Sequence, residues 1–159
     1  MIKEIISGRE EDASLFLHCM CGKEVIQFYY YKKDAILNEI IGLQYYGQIE
    51  EKINLTYNNF QFSENSFYNF VNKLEEFIDS TPAKIERNIF IASIHKTDIL
   101  QLCKDEDGFY TIGRARNLKE AQDHKYVWDI VFRDPESIEI LAKLKELKSI
   151  ILNNNNNNN

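Results

Sequence analysis

The chain has 159 residues, 44% hydrophobic and 28% charged, which excludes a disordered polymer and suits one domain with a sizeable core. Aromatic residues make up 13%, which favours strands, and no apolar run reaches the roughly 18 residues of a bilayer span. The net charge of −6 argues against holding a polyanion by bulk electrostatics, and three cysteines argue against a disulfide framework.

Residues 1–12 lack the apolar stretch of a secretion signal, so the chain is expected to be cytoplasmic and not membrane-bound. Charge is uneven along the chain. Residues 13–80 have five Lys, no Arg and nine acidic groups, whereas residues 81–152 have eight Lys, four Arg and twelve acidic groups. The acidic excess lies in the first half, and every arginine except Arg9 lies in the second.

Ser14–Cys19 reads as the first strand, turned by Cys21-Gly22-Lys23, and Val25–Tyr31 as the second, closed by Lys32-Lys33-Asp34. Glu39–Tyr46 is the third, broken by Gly47, and Lys52–Tyr57 alternates with period two as the fourth. The period then changes. Ser63 is placed to cap a helix, and Phe67, Phe70, Val71, Leu74, Phe77 and Ile78 recur at three- and four-residue spacing on one face until Pro82.

The order repeats. Asn88–Ile94 and Asp98–Cys103 are strands, Lys104–Gly108 is a strong turn, and Phe109–Arg116 is a third strand. A polar connection over 117–125 leads to the strand Tyr126–Phe132. Asp134-Pro135 then starts a helix with the stripe Ile138, Leu141, Leu144, Leu147 and Ile151. Ile41-Gly42 and Ile112-Gly113 lie 71 residues apart, as do Ser63 and Asp134. Glycine inside a strand is costly unless something approaches closely, so its return at one interval supports a duplication. The expected fold class is α+β, with two ββββα repeats at 13–80 and 84–152 in one domain over 1–152. The run 153–159 is expected to be a disordered poly-Asn tail.

No motif for chemistry stands out. His18-Cys19-x-Cys21, with Cys103, His95 and His124 elsewhere, has one residue between its cysteines where a zinc knuckle has two, and two cysteines flanking a hairpin turn is the simpler account. The histidines form no nucleophile–base pattern, and the six glycines contain no Gly-x-Gly phosphate loop. The expectation is a protein that is not an enzyme and uses no metal or cofactor.

Aromatic and basic residues group more tellingly. Tyr29, Tyr31 and Lys33 end the second strand, Tyr45 ends the third, and Tyr110, Ile112, Arg114 and Arg116 share a strand face by alternation, with Lys125 nearby. Rings can stack on bases while cations neutralise phosphates. Alternatively the tyrosines are ordinary sheet residues and the arginines pair with nearby carboxylates.

Two consecutive ββββα units resemble the Whirly, Pur-alpha and positive-cofactor coactivator group by element order over residues 13–152, without a family motif. The resemblance implies sheets whose faces hold single-stranded DNA or RNA, and Tyr29, Tyr31, Lys33, Tyr45, Tyr110, Arg114, Arg116 and Lys125 are the residues that would do so here. This chain is acidic where such binders are basic. The competing expectation is an acidic protein-interaction module, such as an inhibitor, immunity or phage regulatory protein. An Asn-, Lys-, Ile- and Tyr-rich composition fits an AT-rich bacterial or phage genome. Unpaired sheet edges make a homo-oligomer, such as a dimer, an expectation under either reading.

Overall fold

A computed structural model of the chain describes residues 4–8, 15–21, 24–31, 40–49, 53–80 and 86–157. The elements in chain order are β1 (Glu4–Gly8), β2 (Leu15–Cys21), β3 (Glu24–Tyr31), β4 (Ile40–Ile49), β5 (Ile53–Phe62), α1 (Glu64–Asp79), β6 (Arg87–Ala92), β7 (Ile99–Lys104), β8 (Tyr110–Ala115), α2 (Leu118–Gln122), β9 (Trp128–Phe132) and α3 (Glu136–Asn157). The fold is α+β, with two antiparallel meanders: a five-stranded sheet in the order β1-β2-β3-β4-β5 and a four-stranded one in the order β6-β7-β8-β9.

The period-two pattern sorts each sheet into a core face and an outer face. In the first sheet Leu17, Phe28, Leu43 and Phe60 face one another across four strands and are all buried. In the second sheet Leu102, Ile112 and Ile130 do the same. Between these faces lie the helical stripes, Phe67, Phe70, Val71, Leu74 and Phe77 from α1 and Ile140, Leu141, Leu144, Leu147 and Ile151 from α3, and the whole forms one continuous core.

Each helix reaches across to the other half. α1 packs against β6 and β7 as well as β5, while α3 packs against β1 and β2. Polar bonds tie the halves at the rim: the Ile94 N–H donates to Gln61 O at 2.9 Å, and buried Lys104 donates from Nζ to Phe77 O at 2.9 Å, at the end of α1. Lys145 pairs with Glu75, and Lys148 Nζ donates to Asn72 Oδ1 at 2.9 Å, between α3 and α1.

Several expectations change. β1 adds a fifth strand to the first sheet, and the polar connection contains α2, capped by Asn117, whose side chain accepts from Glu120 N at 2.9 Å. Ile138 is 53% exposed, and Ile140 takes its place in the stripe. At 3.6 residues per turn Ile138 sits about 120° round the helix from Leu144, whereas Ser137 and Ile140 lie within about 40° of it; both of those are fully buried. α3 also continues through Asn157, so the asparagine run begins inside a helix, where extending an existing helix is far easier than nucleating one.

Candidate functional site

The outer face of the second sheet mixes polar and apolar side chains. In-register rows place Asn88, Cys103, Thr111 and Val131 side by side, and next to them Phe90, Gln101, Gly113 and Asp129. Tyr126, just before β9, arches over this face. A Cβ at Gly113 would come within 2.5 Å of Tyr126 Cδ1, so the bare backbone is what lets the ring approach. The first sheet has the same device, with the Tyr29 ring occupying the space over its cross-strand partner Gly42.

Tyr126 is held through its hydroxyl, which donates to Gln101 Oε1 at 2.6 Å and lies 2.9 Å from His124 Nδ1. Gln101, itself buried, passes the bonding on: Nε2 donates to Asn88 Oδ1 at 2.7 Å, and Asn88 Nδ2 donates to Glu86 Oε1 at 3.2 Å. Burial first, then the nearby Cys103 and Asp129, push the Tyr126 phenol above the ordinary tyrosine range. Burial likewise raises the Cys103 thiol, with a bond to Thr111 opposing the rise.

Two surface depressions flank this arch. One, of about 390 Å³, is lined by Arg116, Glu120, Lys125, Tyr126 and Val127. The other, of about 410 Å³, is lined by Glu86, Cys103, Asp105, Glu106, Asp107, Thr111 and His124. The second takes its shape from the β7–β8 turn, where Asp105 Oδ1 accepts from Asp107 N and Phe109 N, both at 2.9 Å. That leaves Glu106 and Asp107 exposed beside Glu86, and among the described residues none of these four carboxylates is in an ion pair.

The residues singled out from the sequence fall in different places. Arg116 and Lys125 come together in the first depression. Arg116 is 75% exposed, and its guanidinium grips Glu120 with Nε at 2.9 Å and Nη2 at 2.5 Å. Arg114 lies on the core face of β8, where Nε donates to Asp98 Oδ2 at 2.6 Å, with side-chain exposures of 21% and 8%. Tyr110 is fully buried beneath the same face, stacked on Phe132 at 5.3 Å between ring centroids. The face shared by Tyr110, Ile112 and Arg114 is therefore the one turned to the core, and Arg116 lies one residue past the end of β8. Tyr29 is 7% exposed. Tyr31 pairs with Ile40, and Tyr45 with Ile26 and Asn58, in the backbone ladders; Lys33 lies outside the described residues.

Sequence alone does not mark Tyr126, His124 or Gln101 as binding residues. The legible signal was Gly113 itself, a strand glycine that announces a ring or backbone passing over it. Of the cysteines, Cys19 is buried in the core, where desolvation first and Glu139 second push its thiol up to about 12. Among the described residues no three His, Cys, Asp or Glu side chains converge as metal ligands. Nor, among those residues, is any helix long and apolar enough to cross a membrane.

No protein-family model matches the chain, and neither a curated protein nor a solved structure matches it.

Proposed function

We propose that the chain is a non-enzymatic binding protein, a protein-interaction module that takes a positively charged segment of a partner on the outer face of β6–β9. The observation that carries this reading is the convergence of Glu86, Asp105, Glu106 and Asp107 around one depression, with His124 the one basic side chain among the described residues of its lining. Such a concave field of one sign favours an oppositely charged ligand and speeds its encounter. The same field repels phosphates, and both arginines expected to meet a nucleic acid already hold carboxylates.

The test is fluorescence anisotropy with a labelled oligolysine peptide and a labelled oligodeoxythymidylate, each titrated at low and moderate salt. The peptide is expected to bind, to weaken as salt rises, and to lose affinity about tenfold in Glu86→Gln, Glu106→Gln, Asp107→Asn protein. Absence of peptide binding at low salt would overturn the reading. In lysate of the native host, the partner should be recovered as a protein that survives nuclease treatment.

A second reading rests on the first depression. Arg116 and Lys125 flank the half-buried Tyr126 ring there, which is the aromatic-plus-cation arrangement that single-stranded nucleic acid uses. Binding of the oligonucleotide, lost in Lys125→Ala, Arg116→Ala and Tyr126→Ala variants, would favour it over the first.

The same proposal includes an internal duplication in a ββββα pattern, with β1 and α2 as additions. What supports it is the recurrence 71 residues apart of a strand glycine under a tyrosine ring, at Gly42 and Gly113, together with meander-then-helix order in both halves.

A further inference from the structure

β9 is an edge strand: β8 is its neighbour on one side, and among the described residues no strand pairs with the other. Such an edge offers a row of backbone donors and acceptors to any extended chain, and natural proteins commonly guard it with charge. Here the outer-facing residues alternate as Val127, Asp129, Val131 and Arg133, all exposed, the valines at 47% and 39%. Arg133 follows directly on β9, its guanidinium 5.2 Å from the Phe109 ring centroid.

This alternation reads differently against a second copy of itself. In an antiparallel pair, directly opposed residues share a face with Cβ atoms about 5 Å apart. Centring a two-fold axis on Val131 sets Val131 against Val131 and places Asp129 of each copy opposite Arg133 of the other, twice. On the core side Ile130 then meets Phe132. A shift centring the pair on Asp129 opposes two carboxylates, and one centring it on Ile130 sets each Asp129 against a valine. Charge thus guards the edge in those registers and opens it in one. Pro135, which has no N–H to give, ends the ladder just beyond Arg133.

We infer that the β9 edge is a self-association surface, joining two copies of this chain antiparallel about Val131 into one eight-stranded sheet. The inference stands independently of the ligand proposed above, because the acidic depression lies toward the β7–β8 turn and does not include Asp129, Val131 or Arg133. A single five-residue ladder makes a small interface, so a concentration-dependent dimer is expected rather than a permanent one.

The test is sedimentation velocity over a dilution series, on the wild type and three charge variants. The wild type should show a monomer–dimer equilibrium. Asp129→Arg alone and Arg133→Asp alone each put like charges opposite one another twice, and should raise the dimer dissociation constant about tenfold or more. The double variant Asp129→Arg/Arg133→Asp restores both pairs and should return the constant to within about threefold of wild type. Val131→Lys should abolish the dimer. Circular dichroism spectra identical across the set would show that all fold. A wild type that is monomeric at every concentration, or a dimer indifferent to the single reversals, overturns the inference.

Discussion

The Tyr126 ring fills the space that a side chain at Gly113 would need, with Cδ1 2.5 Å from where the Cβ would stand. Gly113→Ala should therefore destabilise by about 1–3 kcal/mol, as overpacking does, because the ring must lift from the sheet. Its hydroxyl would then lose Gln101, whose amide is buried. In a Tyr126→Ala background the same glycine substitution should cost far less. Thermal denaturation of the four proteins of this cycle measures the coupling, and equal costs in both backgrounds would count against the arrangement.

Arg114 is an internal cation for Asp98, which also accepts the Thr97 hydroxyl at 3.0 Å. Arg114→Met keeps much of the packing but leaves a nearly buried carboxylate uncompensated. Stability should fall by about 1–3 kcal/mol, discounted from a fully buried pair because the guanidinium is partly exposed. Peptide and oligonucleotide titrations should be unchanged. Urea denaturation and anisotropy together check it, and a binding loss without a stability loss would return Arg114 to the ligand surface.

Stability should fall in alkali. Burial holds the Cys19 thiol at about 12, against an ordinary value of 9.0, and the Tyr110 phenol at about 12, against 10.0. Between those limits the folded chain keeps protons that the unfolded chain has released, so stability is full below about pH 9 and declines through the window, by up to about 1.4 kcal/mol per pH unit for each group. Urea midpoints taken across this range should drop, and the drop should be shallower in Cys19→Ala. Identical slopes in the two proteins would remove Cys19 from the account.

Ser63 caps α1, its hydroxyl accepting from Ser66 N at 3.1 Å. Ser63→Ala should cost about 1 kcal/mol and Ser63→Asp should restore most of it, since a carboxylate suits the same N–H groups. The shift in thermal midpoint between the two variants measures this.

Much of the fold is legible in the sequence, because burial enforces period. The strand alternation and the Phe67-to-Phe77 stripe each recur often enough to name an element. β1 escapes because Ile5 and Ile6 are two apolar residues in a charged segment, and α2 because five residues cannot show a helical period. The site is less legible. Alternation groups Tyr110, Ile112 and Arg114 on one face, yet which face meets the helices depends on packing, and fully apolar Ile112 between them was the available hint. The partner of Arg114 is Asp98, sixteen residues away across a turn, and nothing local announces the pair. The acidic depression gathers Glu86, the β7–β8 turn and His124 from three segments, a convergence that only the sheet register creates.

Because α1 packs against β6 and β7 as well as its own β5, and α3 packs against β1 and β2, the core of each half is completed in part by the helix of the other. Severed between Ser80 and Glu86, the two fragments should each be incompetent alone and regain structure on mixing.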